Sequence, residues 1–145
     1  MTIRPYRPSD RPALLAMHQR QAVHDGLPYI LADPADRQQF ATVVAVEEGR
    51  VVAAASGRKL AEGWTVLDPS WGGNGSEGPR RRWALLSNLI RHSARVAFDA
   101  GYTEMMAGVP PGWRGYRNRL VGELGFVRDE RERLYLDLNA KFGRS

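Results

Sequence analysis

The sequence contains no cysteine in 145 residues. Disulfide scaffolds, thiolate metal sites and thiolate nucleophiles are excluded together, and the composition fits a reducing compartment. Lysine is scarce as well, with two against nineteen arginines. No run approaches the ~18 apolar residues that a membrane helix requires. The opening MTIRPYRPSD lacks the apolar stretch of a secretory leader. A cytoplasmic protein with no membrane partner is therefore expected. There is no G-x-x-x-x-G-K-[ST], no G-x-S-x-G and no dinucleotide fingerprint in context. Internal repeats, linkers and low-complexity tracts are missing too, so residues 1–145 are expected to form a single domain.

What is present is globular in composition: 43% hydrophobic and 26% charged residues. The net charge of +5 points to an anionic partner, whether a phosphorylated cofactor, nucleic acid or an acidic protein surface. Acidic residues are interspersed nearly everywhere. The one tight basic run is Arg80-Arg81-Arg82, which favours a small cofactor over nucleic acid.

Hydrophobic spacing gives the order of elements. TIRPYR (2–7) is extended, Pro8 blocks its continuation, and Ser9 or Asp10 can cap the helix over 11–25. Residues 27–38 read as a loop or a broken short helix. FATVVAVEEGRVVAAASGRKL is a β-hairpin around Glu47-Glu48-Gly49-Arg50. GWTVLDP (63–69) is a third strand, ended by Pro69. The longest helix runs from Pro79 to Ala100, with Trp83, Leu86, Ile90, Ala94 and Ala97 at helical spacing and Gly101 as its stop. A strand over 103–109, a helix over 115–124 and one or two strands over 126–138 complete the chain. Leu134, Leu136 and Leu138 are expected on a common strand face. The order β-α-(α)-β-β-β-α-β-α-β describes an α/β domain with a mixed, mainly antiparallel sheet flanked by helices.

The stretch LDPSWGGNGSEGPRRRWALL (67–86) places a strand, a glycine loop and a helix N-terminus in succession, an arrangement suited to an anion. Pro79 offers no N–H, and Glu77 adds negative charge. Arginines at a helix N-terminus oppose the macrodipole unless an anion is present. Two readings stand: an altered phosphate cradle, or a connector ahead of a solvated basic face. His18 and His24 lie six residues apart, on different helix faces, and His92 stands alone on the long helix. No metal site is indicated. Trp64 and Trp83 fit the core. Trp71 and Trp113 fall in loops at the ends of adjacent strands and are better placed for a ligand or partner.

Four pieces resemble the GCN5-related N-acetyltransferases (GNAT): IRPYRPSDRPALLAMH, the hairpin VAVEEGRVVAAASG, LDPSW leading into a long helix, and LVGELGFV. The resemblance covers nearly the whole chain and implies acetyl-CoA as cofactor, with its pyrophosphate at the N-terminus of the long helix. On that basis Val66 and Leu67 would line the cofactor. Gly73, Gly75, Ser76 and Gly78 would form the cradle, and Arg80, Arg81 and Arg82 would add charge-assisted bonds. The chain departs from the family pattern here, since the usual Q/R-x-x-G-x-G/A register is missing.

The resemblance also implies a tyrosine on the late helix as proton donor to the leaving sulfur. The aligned position is Val121, which cannot donate. Tyr116 is the substitute; its other reading is an aromatic residue packed at the helix start. The family's frequent asparagine is also missing from this helix start, with Arg114 near that position and Asn118 out of register. Glu62 is the candidate base, with Glu47 and Glu48 as further carboxylates. The acceptor would be a small-molecule or peptide amine entering near Trp71 and Trp113. The rival expectation is a non-catalytic protein of the same fold that meets a protein partner or a second copy of itself, such as a phage virion component. A third is a small basic nucleic-acid-associated domain, supported by charge alone.

Overall fold

The computed structural model describes residues 2–24, 33, 35, 39–61, 64–71, 79–107, 114–128 and 134–143. The elements are β1 (Thr2–Pro5), a 3₁₀ turn (Pro8–Asp10), α1 (Arg11–His24), β2 (Gln39–Glu47), β3 (Arg50–Ala61), β4 (Trp64–Trp71), α2 (Pro79–Asp99), β5 (Glu104–Ala107), α3 (Arg114–Leu124), β6 (Val127–Arg128), β7 (Leu134–Asp137) and α4 (Leu138–Phe142). One seven-stranded sheet has the order β1-β2-β3-β4-β5-β7-β6. Its neighbouring strands are antiparallel except β4 and β5, which run parallel because α2 carries the chain back between them.

Local chemistry sets the ends of these elements. Glu48 and Gly49 both have positive φ (52° and 77°) and lie between the paired residues Glu47 and Arg50, forming the two-residue turn that matches strand twist. Gly101 (φ 96°) closes α2: Tyr102 N–H reaches Ala97 O and Gly101 N–H reaches Phe98 O, both at 3.0 Å. The Asp10 carboxylate accepts from Arg4 at 2.8 and 2.9 Å and from the Arg7 amide at 2.8 Å. It thereby joins β1 to the turn that opens α1. These bonds, Arg4 first, hold its pKa below the usual carboxylate range.

The sheet has two unlike faces. Val43, Ala45, Ala53, Ala55, Met105, Ala107, Leu134 and Leu136 face the main core, shared with Leu86, Leu89, Ile90 and Phe98 of α2, Leu120 and Leu124 of α3, and Leu138. The other face offers Val44 and Ala54 to Leu14 and Met17 of α1. The alanine run 53–55 on central β3 keeps both surfaces low, so helices can approach closely. His18 and Gln21 on α1 are also buried.

Two expectations need correction. Pro69 does not end the third strand, which continues to Trp71; a proline is compatible with a strand that has an edge on one side. Leu138 leaves the strand face of Leu134 and Leu136 because Asp137 caps a helix there, accepting from Ala140 N–H at 3.0 Å. The last strand region is a β6–β7 pair followed by α4. The loop or helix expected over 27–38 lies, apart from Asp33 and Ala35, outside the described residues. No described helix is long and apolar enough to cross a membrane.

Candidate functional site

Among the described residues, one pair of strands is parallel, and it points to the candidate site. Ligands of α/β sheets bind beyond the carboxyl ends of parallel strands, where the chain turns into a helix. Among the described residues, β4 and β5 pair from Trp64↔Glu104 to Leu67↔Ala107. β4 stays paired with β3 as far as Trp71↔Ala53. Asp68, Pro69, Ser70 and Trp71 thus extend past the described end of β5 with partners on one side. Among the described residues no strand pairs with the other side of this segment, an edge along which a ligand could run as a strand would. Val66 and Leu67 lie at the last rungs of the β4–β5 ladder, and Trp71 ends β4.

Pro79, Arg80, Arg81 and Arg82 form the first turn of α2, so all three arginines stand at the positive end of the helix. Arg81 forms an ion pair with Glu47, the last residue of β2. The anion at this arginine is therefore a carboxylate of the chain itself. Glu47, read as a possible base, is engaged by it, and Glu48 is exposed in the neighbouring turn. Gly73, Gly75, Ser76, Gly78, Glu62 and Trp113 lie outside the described residues.

Tyr116 stands in the first turn of α3 and is partly buried against the main core. Its ring meets Trp83 of α2 edge to face, with centroids 6.3 Å apart and planes at 81°. The Trp83 indole N–H donates to the Glu123 carboxylate. The Arg119 guanidinium lies 5.7 Å from the centre of the Trp83 ring. Tyr116, Arg119 and Glu123 recur at helical spacing and present one face of α3 to Trp83. The sequence reading assigned Trp83 to the core, where it is indeed 8% exposed, but missed this second role. The available signal was the 116–119–123 spacing. Val121 is 38% exposed and Asn118 is exposed as well, both away from this contact.

Charge at the opposite end of β5 differs. Glu104 pairs in register with Asp137, and its pKa is raised, first by burial and then by that carboxylate. Among the described residues no group of three or more His, Asp or Glu could hold a metal ion.

No protein-family model matches the chain, and no curated protein resembles it in sequence. Solved structures do resemble it. An N-acetyltransferase from Staphylococcus aureus Mu50 superposes with a TM-score of 0.73 at 14% identity, covering 94% of this chain and 98% of that one. A ribosomal-protein-alanine N-acetyltransferase from Brucella melitensis gives 0.70 at 20% identity, covering 93% and 97%. A GNAT family acetyltransferase from Brucella melitensis in complex with acetyl-CoA gives 0.64 at 18%, covering 94% and 86%. The chain has the fold of the GCN5-related N-acetyltransferases.

Proposed function

We propose that this protein is an acyl-CoA-dependent N-acyltransferase that moves an acetyl group to an amine of a small molecule or peptide. The observation that carries the reading is the continuation of β4 past Leu67↔Ala107 directly ahead of the first turn of α2. A one-sided strand and a helix N-terminus lie together there, suited to an extended amide-bearing arm and to phosphates respectively. Arg81 adds a cation at the same end, and a solved neighbour of the same fold holds acetyl-CoA.

Acetyl-CoA would supply an acyl group activated as a thioester. In the transfer, a C–N bond to the amine replaces the C–S bond, and a proton passes to the departing sulfur. Tyr116 is the proposed donor of that proton from its Oη, and the proton that the amine gives up on acylation restores it. The backbone of β4 past Leu67 is the proposed binding edge, with Arg80, Arg81 and Arg82 drawing the phosphates toward α2. The amine is proposed to enter near Trp71 and Trp113, with Glu62 as its base.

Calorimetric titration with acetyl-CoA tests the reading. Micromolar binding is expected. No heat at about 1 mM ligand, which bounds affinity near ~4 kcal/mol, would remove it. That result, together with a defined oligomer or a stable protein complex, would favour the non-catalytic assembly module instead. Arg81 offers a finer test. Arg81→Ala is expected to weaken acetyl-CoA binding by about tenfold, the size of a charge-assisted bond. Glu47→Gln, which releases Arg81, is expected to strengthen it.

A further inference from the structure

We infer that Trp83 is a positioning residue for the proposed proton donor, fixing Tyr116 through a clamp that joins the second turn of α2 to one face of α3. The inference rests on the acyltransferase reading for its catalytic consequence, and on the side-chain geometry for its physical content.

Four side chains make the clamp. The Trp83 ring receives the edge contact of Tyr116 and the guanidinium of Arg119. Its indole N–H is fixed by Glu123. An indole held through its N–H and met by two neighbours at its ring has little rotational freedom. It therefore sets the position of the α3 face that it touches. The Tyr116 hydroxyl is shielded from solvent on that face. A phenol that must meet a departing sulfur within hydrogen-bond distance depends on such placement, and a misplacement of about 1 Å costs on the order of 100-fold in rate. Trp83 also belongs to the second turn's worth of residues from the helix end where the phosphates are proposed. One side chain thus ties the binding end of α2 to the donor on α3.

The test uses Trp83→Phe, which keeps a ring but loses the N–H, and Glu123→Ala, which removes the acceptor at an exposed position and leaves the core intact. Each is expected to lower kcat by about tenfold while KM for acetyl-CoA stays within about twofold. Combined with Tyr116→Phe, neither should slow the reaction further, because Trp83 acts through Tyr116. Nitration of Tyr116 by tetranitromethane, read by peptide mass, should accelerate in both single variants. That readout does not depend on catalysis. Unchanged kcat and nitration in both variants, or losses that multiply with Tyr116→Phe, overturn the positioning role while acetyl transfer by the wild type leaves the acyltransferase reading intact. A wild type that neither binds acetyl-CoA nor transfers acetyl overturns that reading and the catalytic role of the clamp with it.

Discussion

The two faces of the sheet are built on different principles. The face under α2, α3 and α4 is closed by leucine, isoleucine, methionine and phenylalanine, with alanines on β2 and β3 admitting the long helix. The face under α1 has a small apolar patch of Leu14, Met17, Val44 and Ala54, bordered by the buried polar residues Asp10, His18 and Gln21. Strand alternation puts Glu104 and Asp137 on this second face, since Met105 and Leu136 point into the main core. The contrast teaches where stability resides. Apolar burial holds the first face, whereas specific polar bonds tie down the second.

The sharpest way to break the comparison is to cut one leucine from each face. Leu89→Ala, in the middle of α2, is expected to cost about 3–5 kcal/mol in denaturant unfolding, as for a leucine removed from a closed core. Leu14→Ala is expected to cost about 2–3 kcal/mol, because a thin layer relaxes more readily into the space. Equal losses would end the claim that the faces differ.

Asp10 tests the polar side. Its pKa is held down in the folded state, so its contribution is present above the unfolded value near ~3.9 and is lost as pH falls through the folded value. Asp10→Asn should lower the melting temperature at pH 7, and the gap to the wild type should close in acid. A gap that persists unchanged at low pH would show that the ion pair with Arg4 is not its source.

A smaller effect probes a polar residue within the apolar face. Ser93 is fully buried on α2, and its hydroxyl donates to Ala41 O at 2.9 Å. Ala41 has φ 53° and lies at the bulge between Phe40 and Val43. Ser93→Ala should cost about 1 kcal/mol. Glu104→Gln should give the smallest change, and in the opposite direction. Its raised pKa means that the folded state is penalised as pH rises through that value, so removing the charge stabilises at pH 7 and has no effect well below pH ~4. Melting curves at the two pH values would check the sign.

Much of the fold was legible. Alternation marked β2 and β3, Glu48-Gly49 marked their turn, and the spacing of Trp83, Leu86, Ile90, Ala94 and Ala97 marked α2, with Gly101 as its stop. Pro69 misled because local sequence does not reveal whether a strand has a neighbour on each side. Leu138 misled because a period of two cannot distinguish one more strand residue from the first residue of a capped helix. At the candidate site, Tyr116 and Arg81 could be picked out by type and position, but their partners could not. Glu47 lies 34 residues before Arg81, and Trp83 lies 33 residues before Tyr116.

The chain's own pattern determined which segments are helix and strand, where apolar surface had to be hidden, and which end of the long helix would carry positive charge. Those are consequences of local sterics and of side chains a few residues apart. The folded chain alone decided that β4 continues beyond the described end of β5, that a carboxylate from the end of β2 meets Arg81, and that an indole on one helix grips the aromatic and charged face of another. These depend on segments distant in sequence brought within a few ångströms, a distance that no local pattern encodes.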